Sequence, residues 1–176
     1  MLVYFLRHAS AGDPKSDPSK DEKRPLDKDG VQQCGYVGRA LALLETHVDL
    51  VISSPLKRAT QTASLVANEL AYESKIEISP ALRPQASYAQ FRDMLTRYEN
   101  LEAIMVVGHN PNLSDFLGRV IGGGSGAAVD LKKGAVARVD VARHRGVLNW
   151  CVTPKVLRVL YEASAPVTKR DKSSRR

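Results

Sequence analysis

Leu2-Val3-Tyr4-Phe5-Leu6-Arg7-His8 is the stretch on which the fold turns. Five apolar residues in a row, without polar alternation, are the pattern of a strand buried on both faces of a parallel sheet. Arg7 and His8 stand where that strand stops. Ligands of open α/β sheets bind outside the carboxyl ends of the strands, so both are candidate site residues. A neutral imidazole is a nucleophile or base near neutral pH, and a guanidinium offers a planar fork of donors suited to a phosphoryl group. The pair points to phosphoryl transfer through histidine. An isolated Arg-His dipeptide also fits the start of a solvated loop, and the remaining sequence decides between the two.

The same pattern returns along the chain. Leu50-Val51-Ile52 is a short buried strand, followed by Ser53-Ser54-Pro55, a capping pair with proline at the first helical position. The next helix buries Leu56, Ala59, Ala63, Val66, Ala67 and Leu70 and places Arg58 in its first turn. Ile76-Glu77-Ile78 reads as a third strand, and Tyr88, Phe91, Leu95 and Tyr98 as the buried face of a helix. Ala103-Ile104-Met105-Val106-Val107 is the strongest strand signal and ends at Gly108-His109. Asn110-Pro111-Asn112 opens a helix carrying Leu113, Phe116, Leu117, Val120 and Ile121 on one side. Gly122-Gly123-Gly124-Ser125-Gly126 ends it as a flexible connector; no Gly-Lys-Ser/Thr follows, so it is not a phosphate-cradling loop.

Between the first strand and the first long helix, Ala9 to Pro25 reads as a long loop, a candidate cover over a site. The helix runs from an N-cap at Asp27 to about Thr46, with Val31, Cys34, Gly38, Leu41 and Leu44 at helical spacing. Near the other end, Ala137, Val139 and Val141 alternate with Arg138 and Asp140. Val147 to Val152 follows beyond a turn at Arg145-Gly146, giving an antiparallel hairpin at a sheet edge. The expected fold is α/β, with a mostly parallel central sheet flanked by helices and an antiparallel C-terminal hairpin.

The 176 residues suit one domain, assigned to 1–161, followed by a basic, disordered tail over 162–176. Of the net charge of +7, the last twelve residues contribute +4 through Lys169, Arg170, Lys172, Arg175 and Arg176 against Asp171. Such a tail can meet nucleic acid or an anionic membrane, but it reads here as a solubilising end. No apolar run approaches a membrane span or a signal peptide, so a cytoplasmic protein is expected. Cys34 and Cys151 are read as reduced and structural. His8, His47, His109 and His144 show no zinc-ligand spacing, and neither metal nor cofactor is expected. His47 and His144 lie on polar stretches and are read as surface residues.

Three strand ends thus carry phosphate-compatible residues: Arg7-His8, Arg58 and His109. In a parallel sheet these ends share one edge. A phosphoryl group in transfer is stabilised by several fixed donors on its equatorial oxygens, and two arginines with a second histidine supply them. The stretches Leu6-Arg7-His8-Ala9, Ser53-Ser54-Pro55-Leu56-Lys57-Arg58-Ala59-Thr60-Gln61-Thr62 and Val107-Gly108-His109-Asn110-Pro111 resemble the histidine phosphatase (phosphoglycerate mutase-like) superfamily. The small size, Arg24-Pro25-Leu26 and Trp150 look like its SixA branch, whose activity is phosphohistidine phosphatase. Ala9 stands where many members have glycine. The resemblance implies that His8 attacks phosphorus and is later freed by water, with Arg7, Arg58 and His109 holding the phosphoryl oxygens.

Relatives that cleave alkyl phosphates generally supply a carboxyl proton donor after the third strand or directly after the second histidine. This chain has Leu82-Arg83-Pro84-Gln85-Ala86-Ser87 and Asn110 there. Asp13, in the long loop, is the remaining candidate acid. The gap favours a phosphorylated protein bearing phosphohistidine, or a small phosphoramidate, because imidazole leaves more readily than an alkoxide. The alternatives are a phosphomonoesterase for a small phosphorylated metabolite and a non-catalytic phosphate-binding module.

Overall fold

A computed structural model describes residues 1–123, 126–142 and 145–164. Six strands form one sheet in the order β3-β2-β4-β1-β5-β6. Strands β1 (Leu2–Arg7), β2 (Leu50–Ser53), β3 (Glu77–Ile78) and β4 (Ala103–Gly108) run parallel, while β5 (Val136–Ala142) and β6 (Arg145–Val152) form the antiparallel hairpin. β5 pairs with β1, so the hairpin extends the sheet instead of forming a separate layer.

Alternation along β1 feeds two cores. Val3 and Phe5 point to one face, where Phe91 of α4 (Tyr88–Thr96) and Phe116 of α5 (Asn112–Gly122) lie. Phe91 and Phe116 stack at 4.8 Å between centroids, and Phe5 meets Phe91 at 5.7 Å. Tyr4 and Leu6 point to the opposite face, under α2 (Lys28–Leu43) and α3 (Lys57–Glu69). Burying one such aromatic contributes about 1.5–3 kcal/mol, so both faces of β1 resist a shift of register.

Several local expectations are corrected. The stretch 9–25 contains a short helix, α1 (Pro18–Glu22), whose N-cap Asp17 accepts from the N–H groups of Ser19 and Lys20. α2 ends at Leu43 instead of near Thr46, and its Val31, like Leu44 beyond it, faces solvent. α3 begins at Lys57 after Leu56, which makes no side-chain cap bond, so Ser53-Ser54 does not cap it and Pro55 precedes it. α4 stops at Thr96, before Tyr98. Arg145 and Gly146 lie within β6, opposite Ala142 and Val141, not in the turn. Cys34 is buried, but Cys151 is exposed on β6 and is not a packing residue.

A final helix, α6 (Pro154–Ser164), packs against α2 and had no counterpart in the sequence reading. It continues to Ser164, beyond the expected start of the tail at 162. His144, Gly124-Ser125 of the connector and tail residues 165–176 lie outside the described residues. No helix among the described residues is long and apolar enough to cross a membrane.

The start of α2 rests directly on the chain leaving β1. Asp27 takes the N–H of Gly30 at 2.7 Å and the Ser10 hydroxyl at 2.7 Å, while its own N–H donates to Ser10 O at 3.2 Å. Gly30 approaches so closely that a Cβ there would stand 1.9 Å from the Ser10 carbonyl oxygen. Gly30→Ala must therefore displace the segment that follows His8. We expect it to lower stability by about 1–3 kcal/mol, read by urea unfolding.

Candidate active site

Strand register assembles the site. Arg7 lies opposite Gly108 across β1 and β4, and Ser53 lies opposite Val107 across β2 and β4. The ladders continue one residue further, His8 N–H donating to Gly108 O at 3.0 Å and Ser54 N–H to Val107 O at 2.9 Å. His8, His109 and Ser54 consequently emerge together. The His8 and His109 rings stand 4.9 Å apart between centroids, close to the spacing of neighbouring strands.

Each ring has a defined partner. His8 Nδ1 lies 2.8 Å from Ala9 O and donates to it, since a carbonyl only accepts. The neutral ring then carries its lone pair on Nε2. His109 Nε2 lies 2.8 Å from Ser54 Oγ, a hydroxyl that already accepts the Leu56 N–H at 3.4 Å. Its hydrogen is free to go to Nε2, which leaves the His109 ring proton on Nδ1.

Both rings are uncharged. Burial, joined by the field of Arg58, Arg7 and Arg24, lowers the His8 pKa to about 3. Burial, with His8, Arg58 and Arg7, lowers that of His109 to about 2. The fields of Arg7 and Arg58 reach both rings, so the four sequence candidates lie in one cluster. His47 is exposed and bonded to Asp49 at 3.0 Å, apart from this cluster.

The two arginines are anchored alike. Arg7 Nη1 donates to Leu131 O at 2.8 Å. Arg58 Nη1 donates to Asp21 O at 2.9 Å and Oδ2 at 3.2 Å. Among the described residues, three buried side-chain nitrogens have no hydrogen-bond partner: Arg7 Nε, Arg58 Nε and His109 Nδ1. An unsatisfied buried donor costs about 1–3 kcal/mol, so three in one place describe a cradle for an oxyanion.

Sequence reasoning missed Asp21, Ser54 and the Leu131 carbonyl. Asp21 also takes Arg24 Nε at 2.8 Å and the Lys15 N–H at 2.9 Å; these bonds and Arg58 hold its carboxyl down at about 2. Next to it, Glu22 meets Arg83 at 2.6 Å, so α1 is tied to the site by arginines from three places. Asp13 stands exposed in the same segment. No group of three or more His, Cys, Asp and Glu side chains among the described residues could hold a metal ion.

Comparison with known proteins gives this architecture its class. Residues 3–87 match the model of the histidine phosphatase superfamily, branch 1. An uncharacterized protein of Picosynechococcus is 33% identical over 139 residues, covering 77% of this chain and 82% of that protein. The chain belongs to the histidine phosphatase superfamily, and its class is that of a phosphatase. Within that class it is similar to the phosphohistidine phosphatase SixA of Escherichia coli, 26% identical over 157 residues, or 88% of this chain and 94% of the relative. The solved structure of the protein histidine phosphatase SixA with tungstate superimposes with a TM-score of 0.80 at 25% identity, covering 89% of this chain and 99% of that one.

The two imidazoles link stability to pH. Their pKa values in the folded protein lie below the ordinary 6.5, so the unfolded chain takes up protons that the folded chain excludes. Their contribution is complete above about pH 6.5 and is lost as pH falls, at up to about 1.4 kcal/mol per pH unit for each ring. Urea unfolding between about pH 7 and pH 5 should show this fall, and His109→Gln should lower the slope by up to about 1.4 kcal/mol per pH unit.

Proposed function

We propose that this phosphatase transfers a phosphoryl group from phosphohistidine on a protein, or from a small phosphoramidate, to His8 and then to water. The observation that carries this reading is the pairing of a neutral His8, its Nε2 lone pair unblocked, with three buried donors that lack partners. In the first step Nε2 forms a bond to phosphorus. The P–N bond of a substrate already protonated on its nitrogen group (the far ring nitrogen of phosphohistidine, or the phosphoramidate nitrogen) breaks. The electron pair stays with the leaving nitrogen, which departs as neutral imidazole or amine. Nδ1–H stays bonded to Ala9 O and steadies the positive charge that the phosphorylated ring acquires. Arg7, Arg58 and His109 hold the phosphoryl oxygens, with His109 donating from Nδ1. Water then attacks phosphorus, the P–Nε2 bond breaks with its electron pair returning to Nε2, and dihydrogen phosphate departs carrying both water protons, leaving His8 neutral.

The state of the carboxylates supports the leaving group. Asp21, bonded to Arg58 and Arg24, has its carboxyl held at about 2, so it is ionised at neutral pH and has no proton to give an alkoxide. Asn110, directly after His109, has an amide side chain. A missing proton donor costs an alkyl ester about 10²–10⁴ in rate, whereas a phosphohistidine ring protonated on its other nitrogen brings its own proton and leaves as neutral imidazole. The catalytic unit on this reading is residues 1–161.

Steady-state assays on a phosphohistidine peptide, a phosphoramidate and several alkyl phosphates test the assignment. The expected kcat/KM is at least about 100-fold higher on the P–N substrates. Equal efficiency on an alkyl ester would instead make the chain a metabolite phosphomonoesterase. His8→Ala should abolish turnover, and an alkaline quench during turnover should place the trapped phosphoryl group on His8 alone.

A further inference from the structure

Leu131 is fully buried, and its peptide group is gripped at both ends. Its N–H donates to Ser114 Oγ at 3.1 Å, and that hydroxyl donates to Asn110 Oδ1 at 2.9 Å. Asn110 Nδ2 then donates back to Leu131 O at 2.9 Å, the same carbonyl that takes Arg7 Nη1 at 2.8 Å. The ring joins the end of β4, the first turn of α5 and the segment before β5. Its directions are fixed, because the backbone N–H only donates and the carbonyl only accepts. The amide nitrogen must therefore face Leu131.

We infer that Asn110 is a positioning residue for Arg7. By clamping the Leu131 carbonyl it fixes where Nη1 is held, and through Nη1 the placement of the unpartnered Nε in the pocket. The inference rests on the phosphate-pocket reading above and gives that pocket a third support beyond strand register and burial. It also accounts for the amide at this position. An ionised carboxylate would set an acceptor against the Leu131 carbonyl, where Nδ2 now donates. A protonated carboxyl reproduces the amide, its O–H donating to Leu131 and its other oxygen accepting from Ser114.

The charged and titratable groups around the ring are Arg7 from β1, His8 and His109 at the strand ends, and Asp130 and Lys132 beside Leu131. Asp130 and Lys132 pair with each other, and Asp130 also acts on Arg7 through its field. All of them are common to every variant below, so ratios to the unmodified protein isolate position 110.

Calorimetric binding of sulfate, a dianion throughout the range used, reads the pocket independently of substrate class. Asn110→Ala and Ser114→Ala should weaken sulfate binding about tenfold at every pH and lower kcat/KM on a phosphoramidate by a similar factor, mostly through KM, because displaced groups lose binding geometry. Asn110→Asp should match Asn110→Ala near pH 8 and approach the unmodified protein as pH falls to about 4.5, because the pKa of a carboxylate set against the buried Leu131 carbonyl is raised above its ordinary range and the group takes up a proton there. Sulfate binding unchanged in Asn110→Ala, or an Asn110→Asp ratio that does not vary with pH, would overturn the inference. So would Asn110→Asp that gains alkyl-ester turnover while keeping phosphoramidate turnover, since the side chain would then face substrate. If the unmodified protein binds no sulfate, it is the pocket reading that fails, a distinguishable result.

Discussion

Parallel pairing of β1 with β4, in the register that sets Arg7 opposite Gly108, brings the last residues of two buried strands to one height. Two imidazoles one strand spacing apart follow from it, and His8 helps to keep His109 uncharged. Pairing of β2 on the other side of β4 delivers Ser54 to His109. A slip of one residue would turn the alternating apolar side chains of β1 to the wrong faces, and the cores around Phe5 and Leu6 forbid it. The chemistry of the site is thus held in place by ordinary hydrophobic packing some distance beneath it.

The arginines show how a small domain keeps mobile side chains still. Each is tethered through one terminal nitrogen, Arg7 to a backbone carbonyl and Arg58 to Asp21, while its Nε stays buried without a partner. Asp21 does more than tether. Its ionised carboxylate offsets cationic charge that would otherwise accumulate at Arg24 and Arg58, yet that same ionisation deprives the site of an acid. On the proposed reading, charge balance and leaving-group preference are two results of one residue.

The parallel sheet, its hairpin and the clustering of Arg7, His8, Arg58 and His109 at one sheet edge were legible because buried strands leave continuous apolar runs and polar residues interrupt them abruptly. α1 left no such trace, since it is five residues long and buries no side chain. Its signal was Asp17 before Pro18, a cap followed by proline at the first helical position. Thr153 before Pro154 announced α6 in the same manner. Ser54 was misread for the opposite reason, because a serine near a helix start resembles a cap and its use by His109 depends on β2 and β4 being neighbours. The Leu131 carbonyl had no signal at all, since a backbone acceptor is the same atom in every residue.

The three nitrogens without partners have a consequence for the reaction cycle. On the proposed reading, donors without a protein partner would be satisfied by any tetrahedral oxyanion of the right size, including the one produced by the final hydrolysis. Free phosphate would satisfy the same groups as the transferred phosphoryl and lack only the bond to His8. On that reading, a cradle that favours transfer would by the same contacts slow the departure of the phosphate left behind.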